Sequence, residues 1–194
     1  MHLALVTGPV RSGKSTLAAK LASERGRPVV YLATAPRYPE DDEWLARIEH
    51  HAARRPAEWE HHETATWDEA AWEACCATSR EKTLLVDSLG GWLTARMDAH
   101  REQLDADPVA AMGRLDAEAE RLAQTLAAAP GAVITVSEQT GWGVVPAYAS
   151  GRVYTDVLGR LERRIALDAA HAYLVVAGFA VELCATGVKL TESD

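Results

Sequence analysis

His2-Leu3-Ala4-Leu5-Val6-Thr7 runs directly into Gly8-Pro9-Val10-Arg11-Ser12-Gly13-Lys14-Ser15. The apolar run predicts a buried strand, and the pattern from about Ser15 to Arg25 predicts a helix, so the motif sits on a strand-loop-helix unit. Glycine at positions 8 and 13 permits backbone conformations and close approaches that a side chain would forbid. Successive N–H groups can therefore turn inward on phosphate oxygens. Lys14 adds a positive charge near the β- and γ-phosphates, and Ser15 offers a hydroxyl to Mg²⁺. The start of the following helix contributes a dipole that favours anions. Gly8, Pro9, Val10, Arg11, Ser12, Gly13, Lys14 and Ser15 are thus read as a nucleotide-binding P-loop rather than a merely structural turn.

Working outward, the pattern predicts a strand over 28–33, a helix from Glu40 to Arg55 and a capping box at Thr66-x-x-Glu69 opening a helix to about Ser79. Thr83-Leu84-Leu85-Val86-Asp87 is an apolar strand ending on a carboxylate. In the same sheet as the cradle, Asp87 is placed to hold Mg²⁺ together with Ser15; its alternative is the cap of the next helix. Helices follow over 89–100 and 108–129, a buried strand over 132–136 and a Gly-rich turn over 141–146. A helix over about 153–170, a strand over 172–177 and a short strand near Val181 complete the pattern. Alternating apolar strands and helices predict an α/β fold, a mostly parallel sheet with helices on both faces, and a ligand site at the strands' carboxyl ends.

At 194 residues, without repeats or a Pro/Ser linker, the chain is expected to form one domain, 1–194. A net charge of -8 argues against a surface built to hold nucleic acid. No apolar run reaches the roughly 20 residues that cross a bilayer, so a cytoplasmic protein is expected. Three cysteines, with Cys75 and Cys76 adjacent, fit neither a disulfide framework nor a zinc spacing and read as buried thiols.

On the helix expected over Glu40–Arg55, Arg47, His51 and Arg55 recur at spacings of four and share one face. Two guanidinium groups beside an imidazole favour its neutral form, which can attack phosphorus, and they can also hold the phosphates. His50 points about 100° away. On spacing alone, two adjacent histidines in a helix read as solvated surface residues, with chemistry the minority reading.

The chain resembles the bifunctional adenosylcobinamide kinase / adenosylcobinamide-phosphate guanylyltransferase family of cobalamin biosynthesis. The resemblance is carried by Thr7 through Ser15, Tyr31-Leu32-Ala33-Thr34, Asp41-Asp42-Glu43 and Val86-Asp87. It extends through Gly141-Trp142-Gly143-Val144-Val145-Pro146 and Val175-Val176-Ala177-Gly178. Its most specific block is Arg47-Ile48-x-x-His51-x-x-x-Arg55-Pro56-x-x-Trp59-x-x-x-Glu63. The resemblance implies a RecA-like P-loop NTPase that assembles as a homotrimer and phosphorylates adenosylcobinamide with ATP or GTP. GMP from GTP then passes through a guanylylated His51 to adenosylcobinamide phosphate, with Mg²⁺ as cofactor. It carries nucleotide contacts to the 8–15 cradle, to Ala33, Thr34 and Ala35, to Ala52, Ala53, Arg54 and Arg55, and to Glu63 and Asp87. The chain departs from the family pattern at Pro9 and Val10, where a glycine and a small residue are usual. Glu138-Gln139 stands in place of an asparagine-glutamate pair, and Glu162 in place of an asparagine. The competing readings are a P-loop kinase of another small molecule and a nucleotide-dependent binding module without turnover.

Overall fold

A computed structural model describes residues 2–53 and 55–190. The strands β1 (Leu3–Gly8), β2 (Val29–Ala33), β3 (Glu60–Glu63), β4 (Thr83–Asp87), β5 (Ala132–Glu138), β6 (His171–Val176) and β7 (Phe179–Glu182) form one sheet, ordered β3-β2-β4-β5-β1-β6-β7. Every pairing is parallel except that of β6 with β7. The helices are α1 (Lys14–Ser23), α2 (Asp42–Ala52), α3 (Glu69–Ala77), α4 (Leu89–Ala99), α5 (Arg101–Ala106), α6 (Pro108–Ala128), α7 (Ala149–Asp168) and α8 (Leu183–Thr186). The expected α/β architecture is therefore observed.

Strand alternation divides the core. Leu3, Leu5, Val30, Leu84 and Val133 face a thick layer built by α3, α4, α6 and α7. Ala4, Val6, Val29, Tyr31, Leu85 and Ile134 face the other way, with Ala18 and Ala22 of α1. Small residues at 4, 18 and 22 let α1 lie close on the sheet, which brings its first turn to the carboxyl ends of β1 and β5. Helix α2 stands apart, because Ile48 is its one buried residue.

Several expected boundaries are corrected. The helix expected over Glu40–Arg55 spans only Asp42–Ala52, opened by the Asp41 carboxylate accepting from the Trp44 N–H at 2.9 Å. Arg55 precedes Pro56, whose ring clashes with a helical residue before it, so Arg55 leaves the helix. The Thr66 cap gives way to Asp68, whose side chain accepts from the Ala71 N–H at 2.9 Å. The helix over 89–100 is followed by an unexpected α5, and β3 forms on an edge from the polar sequence Glu60-His61-His62-Glu63. Of the cysteines, Cys76 is buried and Cys75 half-buried, but Cys184 is exposed.

Leu115 of α6 is fully buried in the thick layer. Leu115→Ala is expected to lower the unfolding free energy by about 2–5 kcal/mol through lost burial and the cavity left behind. A fall in the urea midpoint at constant m-value checks it.

Candidate functional site

The cradle begins where β1 has no room for a side chain. A Cβ on Gly8 would lie 2.2 Å from the Val175 carbonyl oxygen and 2.9 Å from Ser12 Oγ, so only glycine lets β1 run this close to β6. The loop then turns through Arg11 (φ 59°) and Gly13 (φ 104°), both in the left-handed region. Gly13 caps α1 without a side-chain bond, leaving the first N–H groups of that helix for an anion. Lys14 is buried and its Nζ donates to the Pro9 carbonyl at 3.3 Å. Ser12 Oγ is buried with no partner among the described residues, while the Ser12 carbonyl accepts from the Gly178 N–H at 3.0 Å. That donor belongs to the two-residue β6–β7 turn. Ala177 (φ 51°) and Gly178 (φ 83°) are both left-handed there, as a type I′ hairpin turn requires. Val10 and Arg11 are exposed, and Ser15 is half-buried at the start of α1.

Asp87 ends β4, two strands from the cradle strand, with β5 between them. Its Oδ2 accepts from the Tyr31 hydroxyl at 2.7 Å. Burial and the Asp87 charge push the Tyr31 phenol well above its ordinary range, so it stays a neutral donor. The Arg55 guanidinium lies 3.9 Å above the centre of the Tyr31 ring, and its buried Nε has no partner among the described residues. Ser88, not Asp87, caps α4, its hydroxyl accepting from the Gly91 N–H at 3.1 Å. The carboxylate at 87 is thereby free of the capping role. Thr34 locks this corner by donating to the Ser88 carbonyl at 2.6 Å and accepting from the Ser88 N–H at 2.8 Å. Ala33 and Ala35 flank it, and Ala35 packs close to Gly91. One carboxylate and one hydroxyl are hard oxygen donors of the kind Mg²⁺ accepts alongside phosphates and water. No group of three or more His, Cys, Asp or Glu able to hold a metal is found among the described residues. The donors present therefore suit a nucleotide-bound Mg²⁺ rather than an all-protein cage.

The histidine block is arranged differently from expectation. His51 is exposed in the last turn of α2, and its ring meets that of His50 edge-on at 6.4 Å. Arg47 pairs with Glu43, and Arg55 is off the helix over Tyr31, so the expected two-arginine flank around His51 is not formed. Among the described residues no hydrogen bond or ion pair joins His51 to the cradle. Ala52 and Ala53 close the helix; Arg54 lies outside the described residues. Glu63 ends β3 in register with Ala33, pairing with Arg37 at 3.5 Å. Trp59 is buried and stacks on Tyr31, a packing role.

Two further carboxylates, Glu138 and Glu162, stand beside the end of the cradle strand and were not among the expected site residues. Glu138 ends β5 beside Gly8 of β1 and accepts from the Gly90 N–H at 3.2 Å. A Cβ on Gly90 would meet Glu138 Oε2 at 2.2 Å and the Tyr154 hydroxyl at 2.4 Å, so that glycine makes the carboxylate's room. The signal was the same as for Asp87, an apolar strand ending on an acid. Glu162 of α7 is buried, accepting from Thr7 Oγ1 at 2.5 Å and from Gln139 Nε2 at 2.9 Å. Burial pushes the Glu162 carboxyl up, against the hydrogen bonds from Thr7 and Gln139 that favour its ionised form. The departures at 139 and 162 are therefore partners. At this contact an amide donates to a carboxylate.

The model of the family described as cobinamide kinase / cobinamide phosphate guanyltransferase matches residues 4–183. The chain is 41% identical over 184 residues to the bifunctional adenosylcobalamin biosynthesis protein CobP of Pseudomonas aeruginosa, covering 92% of this chain and 95% of that protein. It is 36% identical over 190 residues to the bifunctional adenosylcobalamin biosynthesis protein CobU of Salmonella typhimurium, covering 92% and 98%. In fold it is similar to a prototypical ATPase from the type III secretion system of pathogenic bacteria, with a TM-score of 0.53 at 12% identity. That similarity covers 99% of this chain and 59% of the ATPase.

Gln139→Glu alone sets a second carboxylate against Glu162 and is expected to cost about 1–3 kcal/mol of stability; the exchange Gln139→Glu with Glu162→Gln should recover most of it. Urea unfolding of the three proteins checks this. The folded state holds the Glu162 proton more tightly than the unfolded chain does. Its contribution is therefore fully present below the ordinary carboxylate range and is lost as pH rises from that range through the raised folded value, and Glu162→Gln should flatten the slope.

Proposed function

Because the chain belongs to the cobinamide kinase / cobinamide phosphate guanyltransferase family, it is a bifunctional enzyme of cobalamin biosynthesis, and we propose that both its reactions use the nucleotide site built on the 8–15 cradle. The observation that carries this is the cradle itself, with buried Lys14, an unpartnered buried Ser12 hydroxyl and the free N-terminus of α1 converging at the end of β1.

Lys14 and the N–H groups from Gly8 to Ser15 hold the β- and γ-phosphates; Pro9 contributes no N–H. In the kinase reaction the acceptor hydroxyl of adenosylcobinamide attacks the γ-phosphorus of ATP or GTP, the new O–P bond forming as the nucleoside diphosphate leaves. In the second reaction an imidazole nitrogen of His51 attacks the α-phosphorus of GTP and pyrophosphate leaves. A phosphate oxygen of adenosylcobinamide phosphate then displaces the imidazole, giving adenosyl-GDP-cobinamide. Ser15 and Asp87 would hold a Mg²⁺ ion, which supplies charge neutralisation at the phosphates. Ala33, Thr34 and Ala35 line the nucleotide side of the sheet. Ala52, Ala53, Arg54 and Arg55 bring phosphate contacts, and Glu63 accepts hydrogen bonds from ribose or base. The cytoplasmic, single-domain state expected from the sequence and the homotrimer implied by the resemblance belong to the same proposal.

Lys14→Ala is expected to reduce both activities by about 100-fold or more, since each uses the same phosphate contacts. Near-normal rates in either assay would remove the cradle from that reaction. Intact-protein mass spectrometry after GTP and Mg²⁺ should find one GMP on the parent and on His50→Ala, and none on His51→Ala. Phosphorylation of adenosylcobinamide should persist in His51→Ala. A parent that phosphorylates but never carries GMP would favour the simple kinase. Asp87→Asn should weaken the Mg²⁺ dependence of phosphate transfer and leave thermal stability nearly unchanged, because the cap belongs to Ser88.

A further inference from the structure

The Gly-rich segment 141–148 exposes four large apolar side chains in succession. Trp142 is 61% exposed, Val144 96%, Val145 74% and Tyr148 68%. From Thr140 to Gly151 the sequence carries no charged side chain. Exposing this much apolar surface on a short loop is costly unless something covers it in use.

The loop is braced at both ends, beside the cradle. At its start the Gln139 N–H donates to the Gly8 carbonyl at 3.1 Å, and the Gln139 side chain reaches Glu162. At its far end Arg152 Nη1 donates to the carbonyls of Pro146 at 3.0 Å and Ala147 at 2.8 Å. Pro146 and the Tyr148 ring sit over Gly151, where a Cβ would meet them at 2.8 and 2.6 Å. The first turns of α7 then carry Tyr154 back to Glu138 and Gly90. This apolar surface therefore stands at the carboxyl end of β5, between the strand of the cradle and the strand of Asp87, where an acceptor for the γ-phosphate must arrive.

We propose that the loop 141–148 is the docking surface for the corrin macrocycle of the acceptor, holding it so that its hydroxyl arm reaches the cradle. This inference rests on the bifunctional reading above. Its chemistry is that of the surface: a corrin is a broad ring with largely apolar faces and a fringe of neutral amides. An uncharged aromatic and aliphatic loop suits such a ring, whereas a nucleotide needs the cations that the loop lacks.

The test compares the parent with Trp142→Ser plus Val145→Ser, and with Val188→Ser as an exposed apolar control elsewhere. KM for adenosylcobinamide should rise about tenfold or more in the double variant, with KM for the nucleoside triphosphate and kcat at saturating corrinoid held. Formation of the GMP adduct from GTP alone needs no corrinoid and should be unchanged, as should the sedimentation coefficient. An unchanged corrinoid KM overturns the proposal. So does a fall in the sedimentation coefficient, which would show that a second copy of the chain covers the loop, and so does parallel loss of the adduct, which would show a general disruption. A parent that neither forms the adduct nor phosphorylates adenosylcobinamide sinks the functional reading itself, and is told apart by needing no variant.

Discussion

The approach of β1 to β6 at residue 8 is the constraint on which the site depends. With the Val175 carbonyl 2.2 Å from where a Cβ would stand, the strand can end there only on glycine. The same contact sets the height at which the loop leaves the sheet. From there Ser12 meets Gly178 of the β6–β7 turn, and Gly13 hands the chain to α1. The cradle's shape is thus imposed by two parallel strand pairings and one hairpin, not by the loop sequence alone. Small residues on α1 complete it, because a helix held further from the sheet would point its N-terminus past the phosphates.

A second layer of organisation runs across the sheet through Tyr31. Its ring supports Arg55 and its hydroxyl holds Asp87, so a residue of the histidine block and the candidate metal carboxylate share one side chain. Below the cradle, Glu138 and Glu162 are acids in poor solvent, tolerated because backbone and neutral side chains supply donors. Such groups contribute little net stability but penalise any other packing of β5 against β1, α4 and α7.

What was legible in the sequence was local chemistry. Gly8 to Ser15 declares itself because glycine, lysine and serine at fixed spacing between a strand and a helix have few other uses. Asp87 was readable as an acid closing an apolar strand, although its cap alternative was settled only by Ser88. Arg55 falls outside the helix expected to reach it because the ring of Pro56 disfavours a helical residue before it. Strand β3 has no alternation to read: as an edge strand it takes its order from pairing with β2. Tyr31 looks like any buried aromatic, since its partner lies 56 residues away. Gln139 and Glu162 stand 23 residues apart in the chain, and only the fold shows that they share one hydrogen bond.

Two displacements on one triphosphate make different geometric demands. Phosphorylation opens the bond at the terminal phosphorus and guanylyl transfer the bond at the phosphorus nearest the ribose, and each nucleophile must lie opposite its leaving group. A cradle that fixes the phosphates therefore cannot receive both nucleophiles from one direction. The acceptor hydroxyl belongs at the open carboxyl rim, beside β5 and the loop that follows it. The proposed imidazole must come from the opposite end of the phosphate chain, and the element that carries it has no reason to be built into the core. Helix α2 answers that description: it buries Ile48 alone, is capped by its own Asp41, and is tied to the preceding loop by Trp44 Nε1 donating to the Pro36 carbonyl at 2.7 Å. The sheet thus keeps its stability whatever position His51 takes, which would let one set of phosphate contacts serve both proposed reactions.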